Sequence, residues 1–245
     1  MHPILYKCSF FTIYTYGVFV AFAFVVASVF LSIEAKRRHF DENVLYNLSI
    51  LLLVSGIIFA RLFYVSLNWD FFKDNLAEIV MLAHGGLVWF GGLIGACVCG
   101  FVFIKINKLP LWETFDLLAP MAALVQSIGR MGCFFNGCCY GKAVGAWGVY
   151  FPVHGRLLFP SQILDSLTLL SIFVYLRWLQ PRSRKGEIFC LYLILASVQR
   201  FLMEFIRGDE RTFYFHLSIF QWISLGLFFI GLFLYGGLLW KKKSV

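Results

Sequence analysis

The chain has 245 residues, of which 60% are hydrophobic and only 14% charged, and its mean hydropathy is +0.80. Soluble domains carry close to a quarter charged residues, so water is excluded as the main solvent. The net charge of +8 does not point to nucleic acid, because the basic residues sit in short segments between apolar runs, where they act as topology determinants.

In chain order, apolar runs lie near 13 to 33, 45 to 65, 82 to 104, 114 to 130, 159 to 179, 187 to 206 and 217 to 239. Most reach the roughly 20 residues that cross about 30 Å of hydrocarbon. The reading is an all-α integral membrane bundle of about seven transmembrane helices, forming one membrane domain over 1–245. The first run follows only a short leader holding Lys7 and is read as a retained helix, not a cleaved signal. The fourth is the weakest span: it carries Asp116 and Pro120, and ends in Gln126, Ser127, Gly129 and Arg130. It crosses a membrane only if that polar end faces protein or a water-filled cavity.

Seven spans with the N-terminus outside place Lys36, Arg37, Arg38, Lys105, Lys108, Arg177, Arg182, Arg184, Lys185, Lys241, Lys242 and Lys243 in the cytoplasm. The opposite side holds only Lys7, Lys73, Arg130, Lys142, Arg156, Arg207 and Arg211. This excess follows the positive-inside rule, and leaves the glycine-rich segment 131–158, between the fourth and fifth spans, on the outer face.

Three features carry chemistry, because a charge at the bilayer centre costs at least about 2.5–3.5 kcal/mol. The first is Arg200, Glu204 and Arg207, whose i, i+4, i+7 spacing puts them on one helix face. They form either an ion pair between helices or a guanidinium held by a carboxylate for an anionic ligand. Arg61 allows the same two readings, with snorkelling as a third. The second is the stretch from Ser127 to Pro152, where glycines at 129, 132, 137 and 141 interrupt a helix as Arg130 emerges. Arg130, Asn136 and free backbone N–H groups can bind phosphate there, or the stretch is an exit loop with a snorkelling arginine. The third is Ala83 to Gly95, with Gly85, Gly86, Gly91 and Gly92 offering a close helix-packing face or an acyl groove, beside a lone His84.

Taken in order, these residues resemble the bacterial prolipoprotein diacylglyceryl transferase family over most of the chain. The matching stretches are Tyr16-Gly17, Ala60-Arg61-Leu62 with Tyr64, the Gly91-Gly92 pair, and Gly129-Arg130 with Gly132, Asn136 and Gly141. They continue through Trp147-Gly148-Val149, Phe151-Pro152, Pro160-Ser161-Gln162, then Arg200, Glu204, Arg207 and Gln221. The resemblance implies transfer of a diacylglyceryl group from phosphatidylglycerol to the lipobox cysteine of a prolipoprotein, in the bacterial inner membrane, with no cofactor. It implies Arg130 and Arg200 as the phosphate clamp and Glu204 as the orienter of Arg200. Tyr16 and Asn136 would bind the headgroup, with Arg61, Gly91, Gly92, Gly141 and Arg207 in supporting contact. No general base is identified. A non-catalytic lipid-binding protein and a transferase of altered chemistry are the alternatives.

The family's usual signature has Asn at the position of Cys133, Glu at that of Cys138 and His at that of Phe90. Spacings of five and one for Cys133, Cys138 and Cys139 match no common zinc or redox motif, so no metal site is expected. Small packing residues or a disulfide is the plain reading; a thiol replacing lost polar groups, or metal or covalent chemistry, is the alternative. Cys97, Cys99 and Cys190 read as buried small residues.

Overall fold

A computed structural model describes residues 2–7, 12–81, 85–145, 147–209, 211 and 213–243. The fold is an all-α membrane bundle, and its strands are confined to three short hairpins. Among the described residues, six helices are long and apolar enough to cross a membrane. The sixth run of the sequence forms a 17-residue helix, Glu187–Met203, at the lower end of what spans a bilayer. Large apolar side chains point outward along the helices, as at Phe22 and Phe229, and Phe233 is 81% exposed. Such a surface is stable only against lipid. His84 lies outside the described residues.

The chain divides into two compact units. The unit Leu31–Thr114 contains α2 (Glu42–Leu67), the single turn α3 (Trp69–Phe72) and α4 (Trp89–Ile106). Helices α2 and α4 pack through glycine. A Cβ on Gly91 would lie 2.4 Å from Phe63 Cβ, and one on Gly92 would lie 2.9 Å from the Gly56 carbonyl. Removing both side chains lets the two backbones approach. The third run is helical only from Trp89; before it, Gly85 and Gly86 take φ of 79° and 82°, and Gly86 lies against the Tyr64 ring. Cys97 is exposed, not buried as expected, because the α4 face turned to α2 is the one carrying Gly91, Gly92 and Gly95.

The second unit, residues 1–30 and 115–245, holds the strands β1 (Ile4–Lys7) and β2 (Thr12–Tyr14) and the start of α1 (Thr15–Arg37). It continues through α5 (Leu111–Asn136), the hairpin β3 (Val149–Phe151) and β4 (Arg156–Leu158), and α6 (Ser161–Leu179). It ends in α7 (Glu187–Met203), the hairpin β5 (Phe213–Tyr214) and β6 (Leu217–Ser218), and α8 (Ile219–Lys243).

The doubtful fourth run is the longer helix α5, and each of its polar groups meets protein. Pro120 has no N–H to give the Asp116 carbonyl four residues back. Gln180 Nε2 donates to that carbonyl instead, at 2.9 Å. The buried Asp116 carboxylate accepts the Gly186 and Phe189 N–H groups, capping the start of α7. Ser127 and Ser166 each donate to the other's carbonyl, at 2.8 and 2.9 Å, joining α5 to α6.

Candidate functional site

The C-terminal end of α5, the N-terminal ends of α6 and α8 and the C-terminal end of α7 meet at one end of the second unit, under a layer of connecting backbone. Ser218 and Gln221 form a capping box at the start of α8. Gln221 Oε1 accepts the Ser218 N–H at 2.9 Å, and Ser218 Oγ accepts the Gln221 N–H at 3.2 Å. The Ser218 hydroxyl then donates to Glu204 Oε1 at 2.8 Å, tying the end of α7 to that cap.

The backbone after α7 crosses the segment after α5 at Gly141. Residues 141 and 207 pair as an antiparallel bridge, and the Gly208 N–H donates to the Tyr140 carbonyl at 3.0 Å. A Cβ on Gly208 would sit 2.5 Å from the Gly141 carbonyl oxygen, so only glycine permits this crossing. The crossing corrects one sequence expectation. Arg207 does not share a helix face with Arg200 and Glu204, because α7 stops at Met203 and the chain turns to meet Gly141.

A connected set of ionic groups fills this end. Arg130, on the last turns of α5, pairs through Nε with Asp165 Oδ2 at 2.9 Å. Asp165 also accepts from Gln199 Nε2, whose second contact is Thr168 Oγ1 at 3.2 Å. Beside Gln199 on α7, Arg200 Nη2 lies 3.0 Å from Glu204 Oε2. The other Glu204 oxygen, already bonded to Ser218, receives Arg211 Nη1 at 2.9 Å. Arg211 reaches Asp209, which Arg207 grips with two bonds of 3.0 and 2.9 Å. Arg200 and Arg211 both lie over the Phe220 ring, at 4.9 and 4.7 Å. Burial pushes the Asp209 carboxyl up, but its bonds to Arg207 and the charges of Arg207 and Arg211 outweigh this and hold it below its ordinary value.

Three guanidiniums thus converge, since Arg130 and Arg207 both lie within electrostatic reach of Arg200. Among the described residues of the cluster, Arg200 and Arg211 are left incomplete, Arg211 at Nε. Arg200 Nη1 is buried and has no hydrogen-bond partner among the described residues. A buried cationic donor without an acceptor is costly, and an anion supplied from outside would complete it.

The remaining predicted residues fall in two groups. Tyr16, at the start of α1, lies against Gly132, where a Cβ would come 3.2 Å from its ring, and it is within the electrostatic field of Arg130 and Cys133. Asn136 closes α5 beside Cys138. These belong with the arginine cluster, as does Gly141. Arg61, Gly91 and Gly92 lie in the other unit. Arg61 is 5% exposed and donates to the carbonyls of Glu78, Ile79, Met81, Gly85 and Gly86, with Tyr64 and Phe72 rings against it. It braces the loop that leads into α4. Sequence reasoning missed Asp165, Gln199, Asp209, Arg211 and Phe220. Asp165 had a signal, being an acid inside the fifth apolar run and subject to the cost that singled out Arg200.

The three cysteines of the glycine-rich segment also come together, with all Sγ atoms within 4.8 Å of one another. Arg207 lies beside Cys139. His154 stacks on Tyr140 at 4.1 Å, and its Nε2 lies 3.1 Å from the Gly137 carbonyl.

Sequence comparison places the chain among known proteins. The profile described as "Prolipoprotein diacylglyceryl transferase" matches residues 3–236. The phosphatidylglycerol–prolipoprotein diacylglyceryl transferase of Clostridium tetani is 32% identical over 96% of this chain and 97% of its own length. Proteins of the same name from Listeria monocytogenes and Pediococcus pentosaceus are 33% and 30% identical, over 86% and 100% of this chain and 80% and 92% of their own. The profile covers nearly the whole chain and the relatives align over most of it, so the chain belongs to the prolipoprotein diacylglyceryl transferase family.

Proposed function

We propose that the protein transfers a diacylglyceryl group from phosphatidylglycerol to the lipobox cysteine thiol of prolipoproteins, releasing glycerol phosphate. The relatives named above act on these two substrates, and the observation that carries the reading here is the unpartnered Arg200 Nη1 beside Arg130 and Arg207. In such a transfer a thiolate attacks a glycerol carbon and a phosphate monoester leaves. The charge that grows in the transition state lies on phosphate oxygens, where fixed guanidiniums stabilise it most. Arg200 and Arg130 hold the phosphate. Glu204 and Asp165 orient them through their ion pairs. Tyr16 and Asn136 contact the glycerol headgroup, and Gly141 and Arg207 shape its surroundings.

The protein spans the bacterial inner membrane with the arginine end and residues 131–158 outward, where lipobox segments of exported precursors emerge. The basic excess on the Lys185 side supports this orientation. Reporter fusions at Gly155 and Lys185 are expected to give opposite sidedness, and equal signals would defeat it. Incubating the purified protein with headgroup-labelled phosphatidylglycerol and a lipobox peptide should yield glycerol phosphate and a lipidated peptide together. Lipid binding without either product would make it a lipid-binding protein instead.

A further inference from the structure

The proposed reaction lacks a group that takes the proton of the substrate thiol, whose ordinary pKa near 8.5 keeps it mostly protonated at neutral pH. The three clustered cysteines lie beside the place where that need arises. Cys133 projects from the last turn of α5, three residues after Arg130, and Cys138 and Cys139 follow directly on the turn that ends the helix. Sequence spacing hides the cluster, because Gly137 with φ +76° folds the chain back so that the Cys138 N–H bonds the Cys133 carbonyl at 3.2 Å.

The backbone at Cys139 is held in an unusual state. Its φ is +63°, a left-handed conformation that side chains other than glycine rarely adopt. Two side chains at the start of α6 keep this stretch in place: Ser161 Oγ donates to the Cys139 carbonyl at 2.9 Å, and Gln162 Nε2 donates to the Cys138 carbonyl at 2.6 Å. Such strain persists where the surroundings over-determine it, and here its effect is to bring a third thiol to two others. Tetrahedral zinc with Zn–S bonds of about 2.3 Å places its sulfurs about 3.8 Å apart. The 4.8 Å spread is thus within about 1 Å of a ligand set, a distance that side-chain torsions cover. All three cysteine residues are partly exposed.

Resting on the transferase reading, we infer that Cys133, Cys138 and Cys139 bind one Zn²⁺ as three thiolates, and that its open fourth position takes the lipobox thiol of the substrate. Three protein ligands with one open position is the pattern of catalytic zinc, and a thiol that coordinates zinc is deprotonated. Zinc is redox-inert, so it lowers the thiol pKa without oxidising it. The proton passes to water as the sulfur binds. The sulfur lone pair then forms the S–C bond to the glyceryl carbon while the C–O bond breaks, and the phosphate oxygen keeps that electron pair. The resulting thioether is a poor zinc ligand and leaves, reopening the position. Three thiolates and Zn²⁺ carry one net negative charge, and Arg207 beside Cys139 offsets it. The nucleophile is then activated three residues along α5 from a guanidinium that receives the leaving group. The family residues absent at Cys133 and Cys138 are replaced by a different solution to the same step.

Protein purified under reducing conditions and titrated with Zn²⁺ should hold a single ion per chain by mass spectrometry of metals, and C133S/C138S/C139S none. The Co²⁺-loaded protein should show thiolate-to-metal charge transfer that intensifies on adding a lipobox peptide and not its Cys→Ser counterpart. Stripping metal from the wild-type chain with a chelator avoids any folding defect of the triple variant. It should lower transfer from labelled phosphatidylglycerol at least about a hundredfold, restored by Zn²⁺. Absence of metal binding, full transfer by the metal-free chain, or a cobalt spectrum indifferent to the peptide thiol would each overturn the site. A peptide-dependent cobalt spectrum without lipid transfer would instead defeat the transferase reading and leave the thiol site standing.

Discussion

Arg61 and Arg200 are the same residue type set in apolar helices of one chain, and their surroundings set them to opposite tasks. Arg61 spends its guanidinium on the carbonyls of Glu78, Ile79, Met81, Gly85 and Gly86, with aromatic rings against it, and all five of its N–H donors have acceptors. Arg200 has one carboxylate, one ring and a buried nitrogen without an acceptor. A buried arginine is thus a brace when the fold supplies all its acceptors, and a receptor when it withholds one.

The strongest way to break this comparison is to delete each arginine in turn. Arg200→Ala and Arg130→Ala are expected to lower turnover at least about a hundredfold, the loss typical of one fixed donor at a developing anion. Arg200→Lys should recover little, because an ammonium lacks the planar fork. Wild-type rates in either alanine variant would refute the receptor role. Arg61→Ala should act on stability instead, leaving the carbonyls of Glu78, Ile79, Met81, Gly85 and Gly86 without their shared donor. Its thermal midpoint in detergent should fall markedly. The folded fraction should keep kcat/KM within about threefold, since no transition-state contact is removed.

A smaller effect sharpens the contrast. Asp165→Asn keeps the shape at Arg130 but removes the charge that aims it, and turnover should drop about tenfold through misplacement of the clamp. The fall should be in kcat with little change in binding of the phosphatidylglycerol headgroup. A pure loss of stability would show Asp165 to be a brace as well. The smallest effect is on acid stability. Asp209 is held below its ordinary value in the fold, so its contribution is present above the unfolded carboxylate pKa and is lost as pH falls through the lower folded value. Asp209→Asn should flatten that acid-side decline, and an unchanged profile would remove the Arg207–Asp209 pair from the stability of the fold.

The membrane class was legible because solvent choice is written in composition, and the spans because their length is set by the bilayer. Arg130, Arg200 and Glu204 were legible because a charge inside an apolar run demands a reason. What escaped was whatever depended on where the chain turns. Arg207 looked like a third residue on the α7 face, but a backbone crossing at Gly208 moves it to a different strand-like pairing. The cysteines matched no common zinc or redox motif at spacings of five and one, and their clustering depends on a positive-φ glycine and a left-handed cysteine that fold them together. The spacing of Gly91 and Gly92 favoured helix packing and left an acyl groove as the alternative. The close contacts of both positions run to α2, which accounts for them as packing. Pro120 and Asp116 looked like defects in a span, and their partner Gln180 lies too far along the chain for local pattern to find.

That last arrangement bears on how the protein is made. The Asp116 carboxylate enters the membrane with α5, but the N–H groups that satisfy it belong to Gly186 and Phe189, 70 and 73 residues later in synthesis. The carbonyl freed by Pro120 likewise waits for Gln180, 64 residues on. Until α6 and α7 have followed, α5 lacks these hydrogen bonds to its acid and its carbonyl, and lipid is a poor place to leave either without them. The nascent α5 must therefore linger where water or the insertion machinery can hydrate those groups. Joint insertion of α5 and the short α7, itself barely long enough to cross, is the expected outcome, and a chain truncated before residue 180 should integrate α5 less completely than the full chain.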